Sequence, residues 1–330
     1  RGDLMPLILG TNSIKDTGYE VANSLRFDGA SSAYLNRTHG SSGSTKTMTI
    51  SFWVKKCESA KTPDTMSDAQ LLFGGQQDSY PGFFIIFSHV GDFIWIRDAS
   101  ATNNIHLSVK SDFKFRDPSA WYHVVYEIDT TQGTASNRVK LYINGVQQTE
   151  FAGENATGGA TDNPLYPDQN HDLQFNGNEA HYINKYATNY EDMYMAEFVF
   201  IDGTALDHTS FGEFDSNTNI WKPKDVSGLT FGTNGFYLDF EDSSSLGNDA
   251  AGSNNWTTNN IAATDQSTDT CTNNFATFNP LIYESRNNTF AEGNLKVTSG
   301  TSDAWDTHYG ISTIAVSSGK WYVESKVTTT

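Results

Sequence analysis

This 330-residue sequence predicts an all-β fold, an antiparallel β-sandwich, on three observations. The first is alternation. Between Trp121 and Asp129, the residues Tyr122, Val124, Tyr126 and Ile128 share one face, and Val139, Leu141 and Ile143 share one in the next run. A period of two marks half-buried strands. The second is Asn144-Gly145, which supplies the positive φ angles that a tight hairpin needs. The third is a lack of helical pattern. No apolar period of 3.6 runs beyond about two turns, and polar turn residues fill the gaps between strand-like runs.

Taken in order, residues 1–23 read as an N-terminal arm. Its opening Arg1-Gly2-Asp3 matches an integrin-binding tripeptide, a match that chance explains, and Met5-Pro-Leu-Ile-Leu-Gly has the form of a translational start. Processing or a longer precursor is therefore expected upstream. A strand follows at Ser24–Phe27, with a short apolar element at Tyr34-Leu35. From Thr47 to Lys55, Met48, Ile50, Phe52 and Val54 face inward and Thr49, Ser51 and Trp53 outward. Residues 58–69 are polar, contain Pro63, and read as a loop. Gln70-Leu-Leu-Phe resumes the sheet and ends in a turn at Gly74-Gly75. Phe83–Phe87 is apolar without alternation, as in a strand covered on both faces. A turn at Gly91-Asp92 leads into Phe93–Arg97, and Ile105, Leu107 and Val109 mark one further strand.

Beyond the hairpin, residues 150–179 are rich in Asn, Gly, Asp, Thr and Pro and read as a long loop, functional or mobile. Strands return at Ala180–Ile183 and Met193–Ile201. One domain is thus expected over 24–228. Residues 229–285 read as an extended Asn/Thr-rich linker with one short strand near Tyr237. Its isolated Trp256, Ile261, Phe275 and Phe278 are too few for a core of their own, so they are expected to dock on another surface. Symmetric assembly would supply one, which predicts a homo-oligomer, a trimer above all.

The formal charge is −18. Such a surface repels phosphate backbones and anionic bilayers, so neither nucleic acid nor a membrane surface is an expected partner. The longest apolar runs are too short to span a bilayer. Cys57 and Cys271 are the two cysteines, too few for a disulfide framework and without zinc-ligand spacing.

Candidate chemistry is sparse. Glu127 and Asp129 alternate on one strand, and the resemblance to concanavalin-A-like folds given below implies a nucleophile and an assisting carboxylate there, but the acid/base position falls on Gln132, which donates no proton at neutral pH. No G-x-S-x-G elbow and no H-E-x-x-H motif occurs, and His123 reads as a structural histidine. No catalytic residue and no cofactor is therefore assigned. The acidity suggests a divalent cation, and the resemblance to laminin-G-like domains given below implies calcium, which needs six to eight oxygens. Asp78, Asp92, Asp129, Asn144 and Asn248-Asp249 lie at strand ends or turns, where turn chemistry also explains them. For carbohydrate, Trp53, Tyr80, Trp95 and the tyrosines Tyr182, Tyr186 and Tyr190 are the aromatic candidates.

The run Trp121-Tyr-His-Val followed by Leu141-Tyr-Ile-Asn-Gly resembles the laminin-G-like, concanavalin-A-like jelly roll, and Ala196–Leu206 resembles its closing strand. Gly319-Lys-Trp-Tyr-Val-Glu resembles the first strand of a SPRY domain, which places the start of a second sandwich in 286–330. The order of motifs resembles structural proteins of marine tailed phages: Leu7-Ile-Leu-Gly-Thr-Asn-Ser, Tyr34-Leu-Asn-Arg-Thr, Thr49-Ile-Ser-Phe-Trp-Val-Lys-Lys, Tyr237-Leu-Asp-Phe and Asp265–Leu281. This resemblance implies a virion surface protein such as a tail fibre, partnered by other virion proteins and by a host-surface glycan or receptor. The alternatives it leaves are a polysaccharide-active enzyme on the same sandwich and a secreted cellular adhesin.

Overall fold

The computed structural model describes residues 18–57, 69–77, 80–88, 91–101, 103–281, 288–298 and 310–326. Arg1-Gly2-Asp3, Met5, the Pro63 loop and Asp78 lie outside the described residues, as does the side chain of Tyr80. In chain order the strands are β1 (Ser24–Phe27), β2 (Tyr34–Thr38), β3 (Thr47–Lys56), β4 (Gln70–Gln77), β5 (Tyr80–Phe87), β6 (Ile94–Ala101) and β7 (Asn104–Ser111). Next come β8 (Trp121–Asp129), β9 (Val139–Ile143), β10 (Val146–Gln147), β11 (Phe151–Glu154), β12 (Ala160–Thr161), β13 (Ala180–Ile183) and β14 (Met193–Asp202). The last are β15 (Gly212–Phe214), β16 (Trp221–Pro223), β17 (Phe236–Leu238), β18 (Thr257–Asn259), β19 (Gln266–Ser267), β20 (Thr289–Ala291) and β21 (Lys296–Thr298).

The chain folds as an all-β protein of antiparallel sheets. One sheet of eight strands runs β10-β9-β8-β3-β14-β1-β19, with β17 also pairing β14. A second, of nine, runs β12-β11-β7-β6-β5-β4-β13-β2-β18. The core lies between them. Met48, Ile50, Phe52 and Val54 of β3 and Tyr122, Val124, Tyr126 and Ile128 of β8 meet Phe83, Ile85 and Phe87 of β5 and Ile94 and Ile96 of β6. Phe52 and Phe198 stack at 5.3 Å. The Asn144-Gly145 hairpin forms as expected, with φ of 48° and 76°.

Three expectations are corrected. Gly74-Gly75 is no turn but lies inside β4, and a Cβ at Gly74 would come within 2.5 Å of the Phe83 carbonyl oxygen, so close approach requires the glycine. Residues 150–179 are more than a loop. They add β11 and β12, bridge Leu165 to Ser108, and plug the core with Leu173 and Phe175. Such single plugs leave no period in a polar sequence.

Third, residues 229–281, the described part of the linker expected over 229–285, do not form a linker. β17 and β19 join the eight-stranded sheet and β18 caps the nine-stranded one. Phe236, Leu238, Phe240, Leu246 and Trp256 complete the core of the same chain. Trp256 and Ile261 dock in cis and so no longer argue for a second copy, whereas Phe275 is 47% exposed and Phe278 half-buried. By contrast, Gly319–Lys326 pairs with no strand among the described residues, and Tyr322 and Val323 are 84% and 90% exposed.

Candidate ligand-binding face

The outward side of the nine-stranded sheet carries the arrangement best suited to a ligand. Alternation sends Phe84 and Ile86 of β5, Trp95 and Arg97 of β6, and Lys110 of β7 away from the core. Register then lines them up. Ser108, Arg97, Phe84, Gly74, Tyr182, Asn36 and Thr257 are successive cross-strand neighbours over seven strands. A parallel row places Lys110 opposite Trp95, Ile86 and Leu71.

At one end the indole of Trp95 donates through Nε1 to Ser108 Oγ (3.0 Å), and that oxygen also accepts from the Glu154 amide (3.0 Å). The ring is thereby fixed in place. Lys110 Nζ stands 4.1 Å above it and 3.9 Å from Glu154, whose carboxylate also pairs with Arg97 at 3.0 Å. A cleft of about 180 Å³ opens between Trp95, Phe93, Ile86 and Glu154. A neighbouring one of about 280 Å³ is bordered by Phe93, Lys114 and the carboxylates Asp112, Glu150 and Asp162. Flat aromatic walls beside charged and hydroxyl-binding groups are what a sugar ring requires.

At the other end, β2 and the loop after β13 assemble a tyrosine platform. Tyr34 lies 6.3 Å from Tyr182 and 5.7 Å from Tyr190, ring centre to ring centre. Of the aromatic candidates in the sequence, Tyr182 and Tyr190 are thus brought together with Tyr34. Tyr186 instead packs edge-on against Phe84 between the two ends. Trp95, 5% exposed, borders a cleft on this face, whereas Trp53 is 1% exposed on the opposite side of the molecule, stacked on His123. Missing from the sequence reading were Tyr34, Phe93, Glu154 and the lysines 110, 114 and 185. Their outward direction was legible from alternation, but their meeting depends on cross-strand register.

The hydrolase and metal candidates have other work. Glu127 pairs with Lys140 (2.8 Å), and Asp129 accepts from the Thr131 amide and from Gln132 Nε2 in a turn. Their bonding partners among the described residues are a lysine, a tyrosine, a threonine and an amide. His123 accepts from Trp221 Nε1 at Nδ1 (2.9 Å), so its proton sits on Nε2 and is donated to Ser51 Oγ (2.9 Å). Burial pushes its pKa down to about 3, with His208 adding a smaller push. A neutral ring with that nitrogen already protonated takes no proton from Ser51. Asp92 is held by Lys56 and Arg116, Asn144 accepts from the His123 amide, and Asp249 caps the amides of Tyr237, Ala251 and Asn254. Among the described residues no three His, Cys, Asp or Glu side chains gather as a metal site requires.

With this sandwich in view, one family model matches. Residues 28–179 match the concanavalin A-like lectin/glucanase superfamily, Laminin_G_3. No curated protein matches the sequence. Among solved structures, the chain is similar to a candidate carbohydrate binding protein from Bacteroides ovatus, at 14% identity and a TM-score of 0.44, covering 72% of this chain and 58% of that one. It is also similar to the heptameric SAP-like pentraxin of Limulus polyphemus, at 11% identity and a TM-score of 0.37, covering 57% and 80%. A third likeness is to the Trypanosoma rangeli sialidase, at 12% identity and a TM-score of 0.31, covering 50% and 22%. The chain therefore spans less than two thirds of the Bacteroides protein and of the sialidase. The laminin-G-like match ends at residue 179, before the loop that carries Lys185 and Tyr190.

Proposed function

We propose that this chain is a non-enzymatic glycan-binding protein and, more finely, a structural protein of a tailed-phage virion, a tail fibre or other surface fibre that adheres to a host-surface glycan or receptor. The observation that carries the binding reading is the aromatic and charged row on the outward side of the nine-stranded sheet, with clefts at Trp95 and Phe93. Support for the virion reading comes from the order of motifs along the chain, from Leu7 through Asp265 to the SPRY-like run at Gly319. Assembly into a homo-oligomer, a trimer in a fibre, belongs to the same proposal, on surface other than the anchors of residues 236–256. Light scattering on the whole chain tests it, and a monomer at micromolar concentration refutes it.

Binding is tested by titrating the chain against an array of neutral and acidic polysaccharides. At least one should bind, and Trp95→Ala and Tyr182→Ala should each weaken it while the far-ultraviolet dichroism spectrum stays β-rich. Silence across the array would sink the glycan reading. The virion reading is tested separately, by mass spectrometry of purified phage particles and by antibody labelling in electron micrographs. Absence from particles would leave a secreted cellular adhesin as the better account. Release of reducing ends from any bound polysaccharide, abolished by Glu127→Gln, would favour the enzyme instead.

A further inference from the structure

We propose that the tyrosine platform of Tyr34, Tyr182 and Tyr190 is a subsite for an acidic sugar, a uronic acid or sulfated residue, whose anionic group is taken by Lys185; this rests on the glycan reading above. Cations are scarce in this chain, with 21 lysines and arginines against 39 acids. Between residues 18 and 281, nearly every described one is committed to a carboxylate or a carbonyl oxygen. Arg26, Lys46, Lys55, Lys56, Arg97 and Lys140 have carboxylates, for example, and Arg37 and Arg138 hold backbone carbonyls. Lys114 and Lys185 are the exceptions among the described residues of that span. Both stand on aromatic rings on this one face, Lys114 5.2 Å above Phe93 and Lys185 4.5 Å above Tyr34 and 5.1 Å above Tyr182.

The two lysines differ in surroundings. Lys114 shares its cleft with Asp112, Glu150 and Asp162, which repel an anion. Lys185 lies over the rings of Tyr34 and Tyr182, Tyr190 stands beside Tyr34, and cross-strand from these tyrosines the side-chain amides of Asn36 and Asn259 join at 2.7 Å. The hydroxyls of Tyr34, Tyr182 and Tyr190 make no protein hydrogen bond among the described residues. Rings for stacking, free hydroxyls and an uncommitted ammonium thus converge on one half-buried surface.

The platform is also held in shape before any ligand arrives. Asn184, at φ 62°, donates to the carbonyls of Ala33 (3.0 Å) and Glu191 (2.8 Å) and accepts from the Glu191 amide (3.2 Å). Tyr186 and Asn189 exchange backbone hydrogen bonds within the same loop. A loop pinned at both ends presents Lys185 and Tyr190 with little ordering left to do, which favours binding.

Matched glycans test this. Oligogalacturonate and its methyl ester share one backbone and differ in charge, as do a carrageenan oligosaccharide and its desulfated form. Calorimetric titration should show at least one charged member binding about tenfold tighter than its neutral partner, the worth of one charge-assisted contact. Lys185→Met should remove that preference, and Lys185→Arg should keep it. Raising salt should weaken the charged member alone. Equal affinities within both pairs, or a Lys185→Met loss that is the same for charged and neutral forms, overturns the acidic-sugar subsite while the glycan reading stands. Binding of neutral glycans with no response to either charged oligosaccharide does the same. If no glycan binds at all, the glycan reading falls and takes the subsite with it.

Discussion

The two sheets differ in how fully the chain covers their outward sides. Behind the eight-stranded sheet, the chain covers itself: Trp53, Trp121, Trp221, Tyr194, Cys57 and Cys271 form one buried cluster, and Val125, Tyr142, Val199, Ile201, Phe211 and Tyr237 another. The covering pieces are residues 206–231 and 266–275, locked by polar contacts that reach the floor of the sheet. Lys55, fully buried, binds Asp269 (2.8 Å), Asn274 (2.9 Å) and the Phe275 carbonyl (3.0 Å), while Trp121 Nε1 donates to the other Asp269 oxygen (3.0 Å). Behind the nine-stranded sheet Phe84, Ile86, Trp95 and Tyr186 form a smaller buried cluster, but clefts open beside it. Among the described residues the hydroxyls of Tyr34, Tyr182 and Tyr190 lack protein partners, and Lys114 and Lys185 lack counter-ions. An apolar sheet face can be sealed by its own chain or kept for something else. The side-chain chemistry left over tells which.

If this contrast is right, the sealed side should be costly to disturb. Asp269→Ala leaves Lys55 charged and buried, and should destabilise the fold by about 3–5 kcal/mol in urea unfolding; Lys55→Met combined with Asp269→Leu should recover most of that loss. A cost below 1 kcal/mol would mean that residues 266–275 merely rest on the sheet. Titration should also distinguish this side. Glu197, at the β14 bulge with φ 50°, accepts from Tyr19 (3.0 Å) and Tyr237 (2.8 Å), and burial raises its pKa to about 7. With the folded value above the unfolded one, its stabilisation is whole below about pH 4.5 and is lost as pH rises through 7. Relative to Glu197→Gln, the wild type should therefore lose up to roughly 1.4 kcal/mol per pH unit across that window. His123 has the opposite sign. Its stabilisation is whole above pH 6.5 and is lost as pH falls towards 3, a dependence that a non-titrating residue in its place should abolish.

The smallest stability effect should come from the open side. Tyr190→Ala and Lys185→Met should each change unfolding free energy by less than about 1 kcal/mol. A loss as large as that of Asp269→Ala would make the platform a structural seal like the other face, and the contrast would collapse.

Much of the sandwich was legible in the sequence because alternation reports which side of a strand is buried. Phe52, Tyr122, Val124, Ile128 and Leu141 all fall in the core where period two placed them. What alternation cannot report is a second covering layer. Trp53 does point out of the core, but residues packed from far along the chain bury it. The same blindness made 229–285 read as a linker, since Phe236, Phe240 and Trp256 fill gaps left by other strands and so show no period of their own. Of the ligand-binding face, Trp95, Tyr182 and Tyr190 were recognisable as aromatic candidates. Their partners Lys110, Tyr34 and Lys185 were not, because those meetings depend on cross-strand register and on the turn that Asn184 fixes.

Hydrogen exchange with a polysaccharide bound tests the division between the two sides most directly. Protection is expected at 93–97, 107–114, 150–154 and 182–190, with no change over 206–226 or 266–275. Protection confined to 206–226 or 266–275, with the nine-stranded face unaffected, would contradict the account.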